Sequence, residues 1–124
     1  MPKFTQVHER EWIHEDVVGH AVDRCKLWYD GHGISFSLVK WPANYELSRH
    51  RHETWVAVFI VEGSALWRSG DQERKVEAGD FYFVTPGEDH VETSIEETTT
   101  LVIKAEPNIQ YPIDEDGQRR VVEA

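Results

Sequence analysis

The chain has 124 residues and a mass of 14.4 kDa, which suits one ordinary domain with a core that needs no disulfide bonds. Its 13 basic and 23 acidic residues give a formal net charge of −10, which argues against nucleic-acid binding and against docking on an anionic membrane. The single cysteine, Cys25, excludes an intrachain disulfide and a cysteine-based zinc cluster, and the lack of a long apolar segment or secretory signal predicts a cytoplasmic protein.

The N-terminal part of the chain, residues 1–33, carries only weak patterning. The stretch from Glu15 to His20 is compatible with a short helix or with an edge strand. The Gly-rich turn Asp30–Gly33 separates this part from the more regular sequence that follows.

From residue 34 to residue 104 the chain alternates short β-branched and aromatic runs with turn signals. This pattern is typical of an all-β sandwich or barrel. The predicted strands are Ile34–Trp41, Tyr45–His52, Trp55–Val61, Ser64–Arg68, Glu73–Val76, Phe81–Val84, His90–Ser94 and Thr98–Lys104.

Residues 105–124 form either a C-terminal hairpin or a tail. Two short segments, Asn108–Ile113 and Gln118–Val122, flank an Asp-Gly pair that favours a hairpin turn. A frayed terminus is the alternative. The chain shows no linker, so we expect one domain over residues 1–124.

Two histidines in the second predicted strand indicate a metal site. His50 and His52 are two residues apart, so strand alternation points both imidazoles to one face of the sheet. Neutral imidazole is a common ligand of zinc, iron, copper and nickel. His90 follows the Pro86-Gly87 turn at the start of another strand and is the natural third ligand.

The spacing of these residues resembles the two motifs of the cupin family. The first motif, G-x5-H-x-H-x3-4-E-x6-G, corresponds to Asn44-x5-His50-x-His52-x3-Val56-x6-Gly63. The second, G-x5-P-x-G-x2-H-x3-N, corresponds to Gly79-x5-Thr85-x-Gly87-x2-His90-x3-Ser94. The resemblance covers residues 34–104 and implies a double-stranded β-helix, or jelly roll, that holds a divalent metal through His50, His52 and His90.

One departure from the family pattern bears on the chemistry. Val56 stands where the family has a glutamate ligand, and it cannot bind a metal. Either three histidines hold the ion, or another carboxylate replaces the glutamate, or metal binding is lost. Glu92 is the favoured substitute because alternation puts it on the face of His90, where it would be a ligand, a general base or an orienting group. Glu53 ranks below it because it points away from His52.

Three neutral imidazoles leave a divalent ion with its full charge of two, which favours a chelating organic anion as substrate. Within the family, a cupin with three histidine ligands resembles the diketone-cleaving dioxygenases and their anti-sigma-factor relatives. It implies an Fe(II) dioxygenase for a small enolisable or aromatic molecule. The alternatives are a zinc, manganese or nickel isomerase, cyclase or lyase, and a non-enzymatic small-molecule or metal sensor. The expected pocket lining is Phe36, Leu38, Val56, Val58 and Ile60.

Cupins commonly pair through sheet edges or terminal strands. Residues 1–30 and 108–122 would supply such edges here, so we expect a homodimer.

Overall fold

The computed structural model of the protein describes residues 2–17, 20–107 and 110–113. Within them, a short 3-10 helix at Val7–Glu9 precedes a series of strands. In chain order these are β1 (Ile13–Val17), β2 (His20–Trp28), β3 (Ile34–Trp41), β4 (Glu46–His52), β5 (Val56–Glu62), β6 (Ser64–Ser69), β7 (Gln72–Glu77), β8 (Phe81–Val84), β9 (His90–Ser94), β10 (Thr98–Ala105) and β11 (Gln110–Pro112).

The strands form two antiparallel sheets. The six-stranded sheet has the order β1-β2-β3-β10-β5-β8, and the five-stranded sheet has the order β11-β4-β9-β6-β7. Consecutive strands repeatedly cross from one sheet to the other, which is the arrangement of a jelly roll. The predicted fold class, an all-β double-stranded β-helix, is confirmed.

In the described part of the chain, no helix combines the length and the apolar character needed to cross a lipid bilayer.

The core lies between the two sheets and is built by strand alternation. On β5, Val56, Val58 and Ile60 are buried and face inward. They pack with buried residues from the neighbouring strands and from the facing sheet, namely Ala65, Val76 and Val84. A second cluster fills the other end of the interior with Val22, Val39, Trp41 and Leu47.

The predicted strands from residue 34 onward all occur, with shifts at their ends. The start of the ambiguous N-terminal stretch, up to Val17, belongs to the edge strand β1, in which Glu15 pairs with Val22 of β2, and residues 18–19 lie outside the described residues. At the C-terminus, β11 pairs with β4, so Pro112 lies opposite His50. The remainder of the predicted hairpin, from residue 114 through Gln118–Val122, lies outside the described residues.

An aromatic patch lies on the outer face of the six-stranded sheet. Phe59, Phe81 and Phe83 are exposed on β5 and β8, and Trp55 stacks on Phe83 with ring centres 5.7 Å apart. Clustered exposed apolar side chains are typical of interaction surfaces. The homodimer expected from the sequence stays a prediction.

The turn between β5 and β6 depends on Gly63. This residue has a φ of +91°, and a Cβ atom there would lie 2.4 Å from the carbonyl oxygen of Glu97 and 2.8 Å from the Cα of Thr98. The close approach joins the β5–β6 corner to the start of β10. Only glycine accommodates both the backbone conformation and the contact.

We therefore expect Gly63→Ala to lower the free energy of unfolding by about 2–5 kcal/mol, because strained backbone and steric overlap add. Gly70→Ala is the matched control. Gly70 also has a positive φ, +56°, but a Cβ there meets no atom within 4 Å. We expect Gly70→Ala to lower the free energy of unfolding by about 1 kcal/mol. Urea unfolding of both variants measures the difference, and equal losses would contradict the packing argument.

Candidate metal centre

The β4–β9 pair positions the three predicted histidines. His50 and His52 face the interior of the barrel. Arg49, which precedes His50, and Arg51, which lies between the two histidines, belong to the opposite face of β4. In the antiparallel register of the two strands, His50 lies directly opposite His90. Because residues opposite one another share a face, the pairing brings the imidazole of His90 to the other two.

The three imidazoles converge on one point. One ring nitrogen from each of His50, His52 and His90 lies within 4.8 Å of the others. The ring centres are 4.1 Å apart for His50 and His90 and 5.5 Å apart for His52 and His90. The residues are only 2%, 5% and 2% exposed, respectively. Buried imidazole nitrogens need partners, and one divalent cation could be shared by all three rings.

Glu92 joins this cluster. Its Oε1 lies 2.9 Å from Nε2 of His90 and 3.5 Å from Nε2 of His50. Two donors bound at about 2.1 Å to one ion lie about 3.0 Å apart in octahedral geometry and about 3.4 Å apart in tetrahedral geometry. Relative to these two nitrogens, the carboxylate oxygen thus has the spacing of a neighbouring ligand, whereas the group of mutually close donor atoms among the described residues consists of the three histidines. Glu53, the other acidic candidate, is exposed just after β4 and does not face the cluster.

The second oxygen of Glu92 accepts a hydrogen bond from the hydroxyl of Tyr82 at 2.5 Å. Burial raises the pKa of the Glu92 carboxyl, but the hydrogen bond and charge of His90, the charge of His50 and the hydroxyl of Tyr82 lower it to about 2. Burial and the neighbouring carboxylate raise the pKa of Tyr82 well above its usual value. Glu92 is therefore an anion and Tyr82 a neutral donor at neutral pH.

The turn before β9 holds His90 in place. Nδ1 of His90 lies 3.4 Å from the carbonyl oxygen of Glu88, and the N–H of Gly87 donates to the carbonyl of His52 at 2.9 Å. A proton on Nδ1 that faces a carbonyl leaves Nε2 as the lone-pair donor. The same turn therefore ties the β4 end to the β9 start and directs the metal-binding nitrogen of His90 inward.

The donor set fits a divalent transition metal. Three imidazole nitrogens and one carboxylate oxygen suit zinc, iron, manganese or nickel, and they do not suit calcium or magnesium, which prefer oxygen ligands. If all four donors bound one ion, a five- or six-coordinate shell would keep open positions. The arrangement therefore has room for a substrate or water at the ion.

A cavity of about 60 Å³ opens beside the cluster between the two sheets. Its wall consists of Arg24, Val39, Trp41, Leu47, His50, His52, Val56, Val58, Glu92, Thr100, Val102 and Lys104. Most of the aliphatic wall comes from the six-stranded sheet, which would keep much of the space beside the metal ligands dry.

The expected pocket residues lie in different places. Val56 and Val58 are on the cavity wall. Ile60, two residues further along the same face of β5, is buried in the core. Phe36 and Leu38 pair with Ile103 and Leu101 on β10 and belong to the opposite face of β3. On that strand, the cavity wall is instead formed by Val39 and Trp41, which occupy the other phase.

Sequence reasoning missed three polar residues at the site, Tyr82, Arg24 and Lys104. Tyr82 lies opposite Val58 and thus faces inward. Lys104 continues the inward phase of Thr100 and Val102 on β10, and this alternation was the signal that could have placed it. Arg24 lies in the weakly patterned N-terminal part, where the sequence gives no comparable signal.

The structure resembles those of several cupins. An RmlC-like cupin protein from Ralstonia eutropha is 24% identical, with a TM-score of 0.76 over 99% of this chain and 80% of its own. A cupin 2 conserved barrel domain protein from Rhodopseudomonas palustris is 16% identical, with a TM-score of 0.75 over 87% of this chain and 80% of its own.

A salicylate 1,2-dioxygenase from Pseudaminobacter salicylatoxidans is 12% identical, with a TM-score of 0.59 over 63% of this chain and 24% of its own. At these identities the likeness shows the fold alone. No curated protein sequence is detectably similar to the chain. The family model described as the ChrR cupin-like domain matches residues 2–108. Because this match spans most of the sequence and the barrel carries the three-histidine cluster, the chain belongs to the ChrR cupin-like domain family.

Proposed function

We propose that the protein is a metal-dependent enzyme that binds a divalent cation through His50, His52, His90 and Glu92, and that its activity is Fe(II)-dependent oxygenation of a small organic molecule. The observation that carries the proposal is the convergence of three buried imidazoles and an ionised carboxylate at the wall of one interior cavity. Glu92 takes the ligand role that Val56 cannot fill.

A bound ion supplies Lewis acidity and, if it is iron, access to one-electron chemistry with dioxygen. The side chains of this chain hold and shape the site. Tyr82 donates to one oxygen of Glu92 and fixes the carboxylate so that the other oxygen faces His90 and His50. Val56 and Val58 exclude water from the space beside the ligands.

The choice of oxygenation rests on the cavity and on the cupin architecture. Its small, largely aliphatic interior suits a compact organic molecule more than a sugar, whose hydroxyls would need many polar partners. The salicylate dioxygenase with the same fold is an example of a cupin that acts on an aromatic acid. It supports the reaction class by analogy of fold.

A second candidate is non-oxidative Lewis-acid catalysis by zinc, manganese or nickel, such as isomerisation or a lyase reaction. The position of Glu92 favours it, because a carboxylate in the ligand set reduces the charge of the centre from two to one. A centre of lower charge binds an anionic chelating substrate less strongly. Oxygen dependence separates the two candidates.

The metal site is tested by His50→Ala, with His8→Ala as the matched control because His8 is exposed and far from the barrel interior. We expect protein purified under argon to contain about one equivalent of metal, His50→Ala to lose most of it, and His8→Ala to retain it. Elemental analysis measures the content. Equal metal content in the three proteins would contradict the assignment of the ligands.

The role of Glu92 is tested by Glu92→Gln, with Glu53→Gln as the control that removes an exposed carboxylate close to the same strand. We expect Glu92→Gln to weaken zinc binding about 10- to 100-fold, because it removes a charged oxygen ligand while preserving shape. Competition with a fluorescent chelator gives the affinities. An unchanged affinity in Glu92→Gln would remove the carboxylate from the ligand set.

The reaction class is tested by dioxygen uptake on the iron-loaded protein with diketones, hydroxyaryl ketones and diphenols. Uptake that depends on substrate and is lost in His50→Ala supports oxygenation. Turnover under argon with zinc or manganese supports the second candidate. A fully metal-loaded protein that turns over none of these compounds in either atmosphere would contradict the enzyme assignment and favour a sensor.

A further inference from the structure

Two cationic side chains line the same cavity as the metal ligands. Arg24 reaches it from β2 and Lys104 from β10, both on the six-stranded sheet that faces the histidines. Arg24 is 7% exposed, and Lys104 is partly buried. Because cations are costly to bury, a barrel interior that holds two of them calls for an explanation in terms of what they bind.

Neutral neighbours account for only part of the hydrogen-bonding capacity of Arg24. Its Nη1 donates to the hydroxyls of Tyr29 at 3.2 Å and Ser37 at 3.3 Å, and these are long bonds to uncharged acceptors. Its Nε is buried and has no hydrogen-bond partner among the residues that the structure describes. The carboxylate of Glu15 lies 3.5 Å from that nitrogen, which is an ion-pair distance without hydrogen-bond geometry.

A second buried donor at the cavity is also unpaired. Trp41 is 3% exposed and lines the cavity wall, and its indole Nε1 has no acceptor within the described part of the chain. An N–H group of this kind donates and never accepts. Two residues of the cavity wall, Arg24 and Trp41, thus each carry a buried donor nitrogen without a hydrogen-bond partner in the described part of the chain.

Lys104 adds a charge at the place where the family pattern has its glutamate. In the β10–β5 register, Lys104 lies directly opposite Val56. Burial and the nearby charge of Arg24 lower the pKa of Lys104, while Glu106 and Glu15 oppose that effect. Neither of these two carboxylates lines the cavity. The interior side of the Arg24–Lys104 pair thus faces an aliphatic wall and the metal ligands.

We propose that the cavity binds the carboxylate group of a small organic acid, with Arg24 and Lys104 as its cationic partners. The inference rests on the proposed function for one part only, namely that the remainder of the acid extends toward the ion. A carboxylate offers four acceptor positions, and a guanidinium is its best-matched donor. A cavity of about 60 Å³ favours a compact acid.

The test compares propanoate with propanamide, which has nearly the same shape and no charge. Titration of the metal-free protein is followed through the Nε–H resonance of Arg24 in a ¹H–¹⁵N spectrum, assigned by its disappearance in Arg24→Lys. We expect propanoate to shift this resonance saturably and propanamide to leave it in place. Equal shifts with propanoate and propanamide would overturn the proposal. Equal shifts with sulfate and propanoate, or the absence of a saturable shift, would overturn it as well.

Variants identify the residues. Lys104→Gln should weaken propanoate binding at least about tenfold, as expected for the loss of one charge-assisted hydrogen bond. Lys26→Gln is the matched control, because Lys26 is exposed on β2 and its loss changes the net charge equally. Equal weakening in both variants would overturn the assignment. If Arg24→Gln does not fold, Arg24→Lys, which keeps the charge and loses the planar donor, should still bind more weakly.

The metal-free measurement separates this proposal from the proposed function. Propanoate binding without metal needs no ion, and its loss in the Arg24 and Lys104 variants assigns it to these residues; its absence overturns the carboxylate site while metal binding by His50 stays intact. Conversely, failure of the histidine cluster to bind metal leaves the titration unaffected. A repeat with zinc-loaded protein then measures whether the ion strengthens propanoate binding.

Discussion

The site depends on one pairing, the antiparallel contact between β4 and β9 that places His50 opposite His90. The two strands are far apart in sequence, and between them the chain crosses to the six-stranded sheet and back. Backbone hydrogen bonds fix the register, and the register fixes which side chains face inward. A slip by one residue would replace the imidazole of His90 by Val91 and send Glu92 to the outer face.

The barrel then solves a problem of buried polarity. The described interior contains the three histidines together with Glu92, Tyr82 and Arg24, all of which lose water on folding. Tyr82 donates to one oxygen of Glu92, and the other oxygen lies 2.9 Å from Nε2 of His90, so the three residues form one polar chain that satisfies most of their groups. The donors on Arg24 and Trp41 stay outside this network. The polar groups around Glu92 are thus largely paired, whereas Arg24 and Trp41 each keep an unpaired buried nitrogen among the described residues.

The strand periodicity and the histidine spacing made much of this predictable. His50 and His52 follow from alternation within β4, His90 follows from the motif that contains Gly87, and Glu92 follows from alternation after His90 on β9. The face of β3 that lines the cavity could not be predicted in this way. Phe36 and Leu38 on one face are as apolar as Val39 and Trp41 on the other. The outer face is also covered: Lys40 Nζ lies 4.3 Å from the centre of the Trp12 ring, which places the N-terminal segment there.

Residues whose meaning depends on a partner strand could not be read from the sequence. Lys104 looks like the polar end of an apolar strand until its position opposite Val56 is known. Arg24 needs the β2–β3 register, which places it opposite Val39 on the cavity side. Neither pairing has a local signal, since long-range register is set by the whole sheet and not by the two residues that meet.

The charges of the interior lead to one balance. With a divalent ion bound, Glu92 cancels one of its two charges, and the external carboxylates Glu15 and Glu106 offset Arg24 and Lys104. One positive charge is then left in a low-dielectric cavity that contains no further acidic side chain among its described lining residues. Such a charge is unfavourable unless an anion accompanies it. A single carboxylate supplies that charge, and its oxygens meet the unpaired donors. Because Glu92 supplies the negative charge that the family glutamate would have supplied at Val56, the ligand set keeps its charge, and the remaining positive charge is left for an anionic ligand.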